Sequence, residues 1–218
     1  MKALTVTLLL IIYVESNPVE RLAVDLDSCS VGTITCGNRI VGTGFVLEQP
    51  NFVITCAHVV DGCKDCRFYP AGDRMRFYTF KSVKVDTVSD IATCQTHVNV
   101  CVKPLKRARF DDISILDSLY YIGYNDRISS QNEARLSFHK SIVSQKGSRY
   151  SVNRLIKFLD FAGEGVNGYS GGPVLNDKYE VVGIFSQAYY TLPLEDNGVK
   201  VLVNTAGSID EVQLIDNE

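Results

Sequence analysis

The chain has 218 residues, 45% of them hydrophobic and 22% charged, and shows no low-complexity run. That is enough apolar material to bury a proper core in one or two compact domains, and it excludes a chain disordered throughout. A formal net charge of -3, with the basic residues scattered, excludes the dense positive face that holds nucleic acid.

Lys2 precedes an apolar run from Ala3 to Val14, and Val14, Glu15 and Ser16 place small or aliphatic residues where a signal peptidase reads. The run is shorter than the roughly 20 residues a membrane span needs. Thr5, Val6, Thr7, Ile11 and Ile12 would also suit a buried first strand. The pattern favours a signal peptide over residues 1–16, cleaved after Ser16, which makes the mature chain a secreted one with no stable membrane anchor.

Short β-rich runs between turn signals follow: Val31 to Cys36, Ile40 to Leu47, Phe52 to Thr55 and Met75 to Val85. In the last, Met75, Phe77, Val83 and Val85 share one face while Arg74, Arg76, Ser82 and Lys84 share the other, the period of a half-buried strand. Further strands are expected at Ile91 to Thr96, Ile115 to Ile122, Ala134 to Ser144, Leu155 to Asp160, Val181 to Ser186 and Val199 to Val203. Ser208 opens an expected terminal helix carrying Ile209, Val212 and Leu214. Many short strands at regular spacing indicate an all-β sandwich or barrel. The basic, proline-containing stretch from Lys103 to Arg109 divides the chain into two strand-rich halves of about 90 residues, each enough for a small barrel.

Seven cysteines, Cys29, Cys36, Cys56, Cys63, Cys66, Cys94 and Cys101, leave at least one free or paired between chains. Cys63, Cys66, Cys94 and Cys101 could offer four thiolates to zinc, but their unequal spacing favours disulfides or inert buried thiols. No metal and no organic cofactor is expected.

The densest cluster of glycine is Asn167-Gly168-Tyr169-Ser170-Gly171-Gly172-Pro173-Val174. Such a cluster is commonly only a turn. A serine hydroxyl becomes a nucleophile when a base takes its proton and a third group orients that base. Of three histidines, His58 lies in Thr55-Cys56-Ala57-His58-Val59-Val60, just past the apolar strand Phe52-Val53-Ile54, while His97 and His139 read as surface residues. A carboxylate stands at Val88-Ser89-Asp90-Ile91-Ala92, with Asp86 as second choice.

His58, Asp90 and Ser170 stand in the chain order recorded for the chymotrypsin group. On these residues the chain resembles the trypsin/chymotrypsin-like serine peptidases: "TCAHVV" is similar to their histidine motif, "SDIA" to their aspartate motif and "GYSGGP" to their serine motif. Gly42-Thr43-Gly44-Phe45-Val46 resembles the strand before the histidine, Val182-Gly183-Ile184-Phe185-Ser186 the strand lining the cleft, and Asn197-Gly198-Val199 a later strand at the same pocket. The resemblance covers roughly residues 30 to 212.

The resemblance implies two antiparallel six-stranded β-barrels packed side by side, with a short C-terminal helix. The boundaries expected are an N-terminal barrel over 28–105, a C-terminal barrel over 112–206 and a helix or tail over 207–218. It implies a serine endopeptidase acting on protein or peptide as a monomer, with His58, Asp90 and Ser170 as triad and the backbone N–H groups of Gly168 and Ser170 as oxyanion donors. Tyr169 has only to stay clear of that loop. Glu164, Ser186, Gln187, Ala188 and Gly198 fall at the substrate pocket. The chain departs from the digestive and clotting members, which hold an acid just before the serine for a newly cut terminal amine; Tyr169 occupies that place. It is closer to HtrA-like and bacterial or viral members, here without the peptide-binding domain that follows in HtrA. The alternative is an inactive or latent homologue that binds peptide or protein in the same cleft.

Overall fold

The computed structural model describes residues 30–71, 75–100, 103–125, 135–163, 165, 167–190 and 202–212. The signal peptide expected over residues 1–16 lies outside them. Six strands, β1 (Val31–Cys36), β2 (Arg39–Val46), β3 (Phe52–Thr55), β4 (Cys66–Pro70), β5 (Tyr78–Asp86) and β6 (Ile91–Thr96), close into a barrel in the order β1-β2-β3-β6-β5-β4. Six more, β7 (Ser118–Asn125), β8 (Arg135–Ser151), β9 (Arg154–Ala162), β10 (Pro173–Leu175), β11 (Val181–Tyr190) and β12 (Leu202–Ser208), close a second in the order β10-β11-β12-β9-β8-β7. All these pairings are antiparallel, so the chain is all-β and double-barrelled, as expected.

β-branched and aromatic residues fill the strands. In the first barrel Phe45 lies opposite Ile54 on one face and Val46 opposite Val53 on the other, and all four are fully buried. The same apolar cluster takes in Tyr120, Ile122, Leu175 and Ile184 from the second barrel, so the seam is itself core. A second cluster, around Tyr121, Phe161, Tyr169 and Phe185, fills the other barrel.

The structure corrects the sequence reading in four places. On β5 the apolar residues expected inside are not well buried: Val83 and Val85 are 43% and 46% exposed, and Met75 before the strand is 94% exposed. Tyr78 and Phe80 pack inward instead, and Ser82 Oγ donates to Gln95 Oε1 at 3.3 Å. A bulge between Phe80 and Ser82 breaks the two-residue alternation, so residues before and after it do not share a face as the unbroken period implied. β4 and β10 carry no long apolar run and were not expected. β8 and β9 form a longer hairpin than expected, turning at Val152 and Asn153 with φ 48 and 60, the left-handed pair that a two-residue hairpin uses. The terminal helix is a three-residue 3-10 turn, Ile209–Glu211, after a strand running to Ser208. Its cap is as read, since Ser208 Oγ accepts from Asp210 N at 3.1 Å, and Leu214 lies outside the described residues.

Cys36 and Cys63 form a disulfide, with Cα atoms 5.6 Å apart and 27 residues of separation. That removes Cys63 from any thiolate set and overturns the four-cysteine zinc alternative. Cys29 and Cys101 lie outside the described residues, while Cys56, Cys66 and Cys94 are free thiols. Burial pushes the Cys66 thiol up to about 11, so it is protonated at neutral pH. No helix among the described residues is long and apolar enough to cross a membrane.

The disulfide ties the end of β1 to the segment that follows His58. Removing a cross-link over a loop of this length costs about 3.6 kcal/mol on the chain-entropy model. The double variant C36A/C63A should therefore lose about that much unfolding free energy, read as a lower urea midpoint at unchanged m, while keeping its β circular-dichroism spectrum. An unchanged midpoint would show that the bridge contributes no stability.

Candidate active site

β3 ends at Thr55, and the chain then makes one helical turn, α1 (Ala57–Val60). Ala57, Val59 and Val60 are buried, which leaves His58 facing out, its side chain 51% exposed. β5 and β6 are joined by a turn that ends at Asp90, held at φ 57. Asp86 caps that turn: its Oδ1 accepts from Val88 N at 3.0 Å and Ser89 N at 3.2 Å, and its Oδ2 accepts from Arg154 Nη1. Burial raises the Asp86 carboxyl, but the Arg154 and turn hydrogen bonds outweigh it and hold the group below its ordinary value. Asp86 therefore fixes the turn, and the carboxylate that meets His58 is Asp90.

Asp90 gathers donors from both barrels. His58 N donates to Oδ1 at 3.1 Å, and His58 Nδ1 lies 3.0 Å from Oδ1 and 2.8 Å from Oδ2. From β11, Ser186 Oγ donates to Oδ2 at 2.8 Å. The backbone is tied as well, with Ala57 N donating to Asp90 O at 3.1 Å. Burial pushes the Asp90 carboxyl up, yet the hydrogen bonds from His58 and Ser186 together hold it below its ordinary value, so it is ionised at neutral pH. The Asp90 hydrogen bond in turn raises the His58 imidazole, against the partial burial that lowers it. With Nδ1–H committed to an ionised carboxylate, neutral His58 presents Nε2 as an acceptor.

Ser170 lies in the loop before β10. Its Oγ donates to Ser186 O at 3.2 Å, and no hydrogen bond joins it to His58 among the described residues. Gly168 and Gly171 hold φ 96 and 85, a region other residues enter at a cost. Gly171 also has no room for more: an added Cβ would stand 2.1 Å from Thr55 Oγ1 and 2.2 Å from Thr43 O. Three successive carbonyls are held: Gly168 O by Thr43 Oγ1 at 2.5 Å, Tyr169 O by Gly172 N at 2.9 Å, and Ser170 O by Thr43 N at 2.9 Å. The N–H groups of Gly168 and Ser170 donate to no acceptor among the described residues.

Tyr169 does more than stay clear. It is 1% exposed, packs against Gly123 and Tyr121, and its hydroxyl lies 2.7 Å from His139 Nε2. His139 is correspondingly half-buried and stacked on Tyr121, not a surface residue, whereas His97 is exposed as read.

Of the pocket residues, Ser186 sits beneath Asp90 and faces Ser170 with its carbonyl, a deeper position than the cleft edge expected. Gln187 is exposed opposite Thr205, and Ala188 lies opposite Asn204 in the β11–β12 ladder. Glu164 and Gly198 lie outside the described residues. Two neighbours of the site escaped the sequence reading. Cys56 is buried behind Asp90, its Sγ donating to Phe185 O at 3.2 Å, and burial raises its thiol well above the ordinary value. Thr43, in Gly42-Thr43-Gly44, is buried against the serine loop, and a hydroxyl on an inward strand position was the available signal. Cys56, His58 and Asp90 form the one group among the described residues spaced to hold a metal ion, but Sγ is engaged by Phe185 O and Nδ1 by Asp90.

Residues 42–184 match the family described as trypsin-like peptidase domain. Proteins described as probable periplasmic serine endoprotease DegP-like are similar to the chain. That of Hahella chejuensis (strain KCTC 2396) is 28% identical over 148 residues, and that of Marinomonas sp. (strain MWYL1) 29% identical over 158. Each match covers 68% of this chain but 30% of the relative, so the chain spans less than a third of their length. Among solved structures, active-form Rv3671c protease from M. tuberculosis superposes with a TM-score of 0.67 at 18% identity, over 91% of this chain and 88% of that one. The MamO protease domain from Magnetospirillum magneticum gives 0.60 at 14% identity, over 82% and 92%. These two likenesses show a shared double-barrel fold. On the match to most of its length, together with that fold, the chain belongs to the trypsin-like peptidase domain family.

Proposed function

We propose that the protein is a serine endopeptidase with Ser170 as nucleophile, His58 as general base and acid, and Asp90 as the group that orients His58. The observation that carries this reading is the convergence on one seam of an ionised carboxylate, an imidazole fixed through Nδ1, and a serine in a loop whose Gly168 and Ser170 N–H groups meet no acceptor among the described residues. Rotation of the Ser170 side chain away from Ser186 O brings its hydroxyl toward His58 Nε2, which accepts the proton as Oγ attacks the peptide carbonyl. The Gly168 and Ser170 N–H groups receive the oxyanion. His58 then returns the proton to the leaving amine, the acyl group stays on Ser170, and water reverses the steps to free it. Asp90 stabilises the imidazolium throughout.

The substrate class proposed is protein or peptide, bound along the strand that continues from Ser186 through Gln187 and Ala188. Glu164 and Gly198 are assigned to the same pocket. The periplasmic relatives support export of this chain, and a monomer is the proposed working unit, since both halves of the triad lie in one chain.

A fluorophosphonate probe should label Ser170 in the wild type, and S170A should lose both labelling and peptide hydrolysis with its melting temperature unchanged. A folded wild type that takes no label would support the latent, peptide-binding alternative instead.

The pH dependence follows from His58. Its raised value means the imidazole stays protonated, and cannot act as base, to a higher pH than a free histidine would. The acid limb of kcat/KM should accordingly have its midpoint above the ordinary histidine value. D90N should move that midpoint down and reduce kcat by about 10⁴, the figure for the equivalent change in the general triad template. D86N should loosen the turn with a far smaller effect; a loss as large as that of D90N would overturn the assignment of Asp90.

A further inference from the structure

We infer that Thr43 is a positioning residue: its hydroxyl locks the loop around Ser170 in the form that presents the Gly168 and Ser170 N–H groups. This rests on the proposal that Ser170 is the nucleophile.

Glycine makes the serine loop possible, and glycine alone cannot make it rigid. Gly168 sits at φ 96, where glycine moves with little steric resistance. The peptide between Gly168 and Tyr169 lies between the two peptides that carry the donors, and its turning would disturb their relative alignment. An oxyanion site works because its donors need no reorganisation at the moment of reaction. Something other than backbone sterics must therefore hold that peptide.

Thr43 supplies the hold with every polar atom it has. Its Oγ1 donates to Gly168 O at 2.5 Å and accepts from Tyr124 N at 3.0 Å. Its N donates to Ser170 O at 2.9 Å, and its O accepts from Thr55 Oγ1 at 2.7 Å. The side chain is fully buried, so water cannot replace these bonds. Thr43 thus grips the loop one peptide before and one peptide after the Tyr169–Ser170 bond, from a strand of the opposite barrel. Tyr124, on β7, orients the hydroxyl so that its hydrogen points at Gly168 O.

The test compares Thr43→Val, which keeps the shape and removes the hydroxyl, with Thr43→Ser, which keeps the hydroxyl. Each is measured for kcat, KM, fluorophosphonate labelling rate, melting temperature and affinity for a peptide boronate, a mimic of the tetrahedral adduct. Losing one oxyanion donor outright costs about 10²–10³ in kcat, a subtilisin figure, so loosening the pair should cost about 10–100-fold. T43V is expected to lose that factor in kcat, labelling and boronate affinity together, with KM within about twofold, and T43S to recover most of it. A purely structural threonine would instead lower the melting temperature and leave the kcat of the folded fraction and its boronate affinity unchanged. Should T43V fail to fold, Thr43→Ala deletes the same hydroxyl without adding volume and is judged by the same criteria. An active wild type whose T43V variant keeps full kcat sinks this inference and leaves Ser170 as nucleophile. A folded wild type that neither labels nor cleaves sinks both.

Discussion

A half-buried carboxylate must be surrounded by donors, and at Asp90 those donors come from two barrels. His58 supplies a backbone and a ring N–H from the first, and Ser186 supplies a hydroxyl from the second. Remove either contribution and an ionised group remains in a setting that burial penalises. Much of the local architecture serves this need. The single helical turn after β3 brings His58 over the carboxylate, and the left-handed conformation of Asp90 aims it inward. Arg154 braces the same turn from the β8–β9 hairpin through Asp86, so the far barrel touches the Asp90 segment twice.

The Ser170 side is organised by a different constraint, the holding of successive carbonyls in a glycine-rich loop. Gly168 O and Ser170 O are held by Thr43 of the other barrel, and Tyr169 O by Gly172 N of the loop itself. Tyr169 adds the one large anchor, its ring buried among Tyr121 and Phe185 and its hydroxyl against His139. In the digestive branch an acid at this position waits for a new terminal amine. Here the corresponding side chain finds its partner on β8 of its own barrel, so the loop's anchor is built by folding alone.

His58, Asp90 and Ser170 were legible because each stands in a local pattern tied to a backbone event: a strand end, a turn and a glycine loop. An all-β chain in two strand-rich halves was legible from strand spacing, and the pair of six-stranded barrels from the family resemblance. What sequence hid was sign and partnership. The alternation on β5 was read as unbroken, whereas a bulge between Phe80 and Ser82 interrupts it, and Val83 and Val85 look the same in sequence whether buried or exposed. β10 is three residues long and could not be seen beside the glycines that precede it. His139 lacked an apolar pattern of its own, since its burial comes from Tyr121 and Tyr169, thirty or fewer residues away in sequence but adjacent across the sheet. Cys63 looked like half of a Cys-x-x-Cys pair, and only the closeness of Cys36 across the barrel end shows otherwise. Thr43 is an ordinary strand threonine until the loop of the other barrel is laid against it.

The closeness at Gly171 reaches beyond chemistry. The Thr43 carbonyl and the Thr55 hydroxyl of the first barrel stand where that residue's side chain would be, so the first barrel meets the backbone of the second directly there. The apolar cluster of the first barrel likewise runs into the second through Tyr120, Ile122 and Leu175. The halves are therefore not modules joined by a tether, each with a trade of its own. Parting them would strand His58 and Asp90 on one piece and Ser170 and Ser186 on the other, and would open the core of both. Undocking would therefore separate the three proposed catalytic side chains and break the shared core in one event.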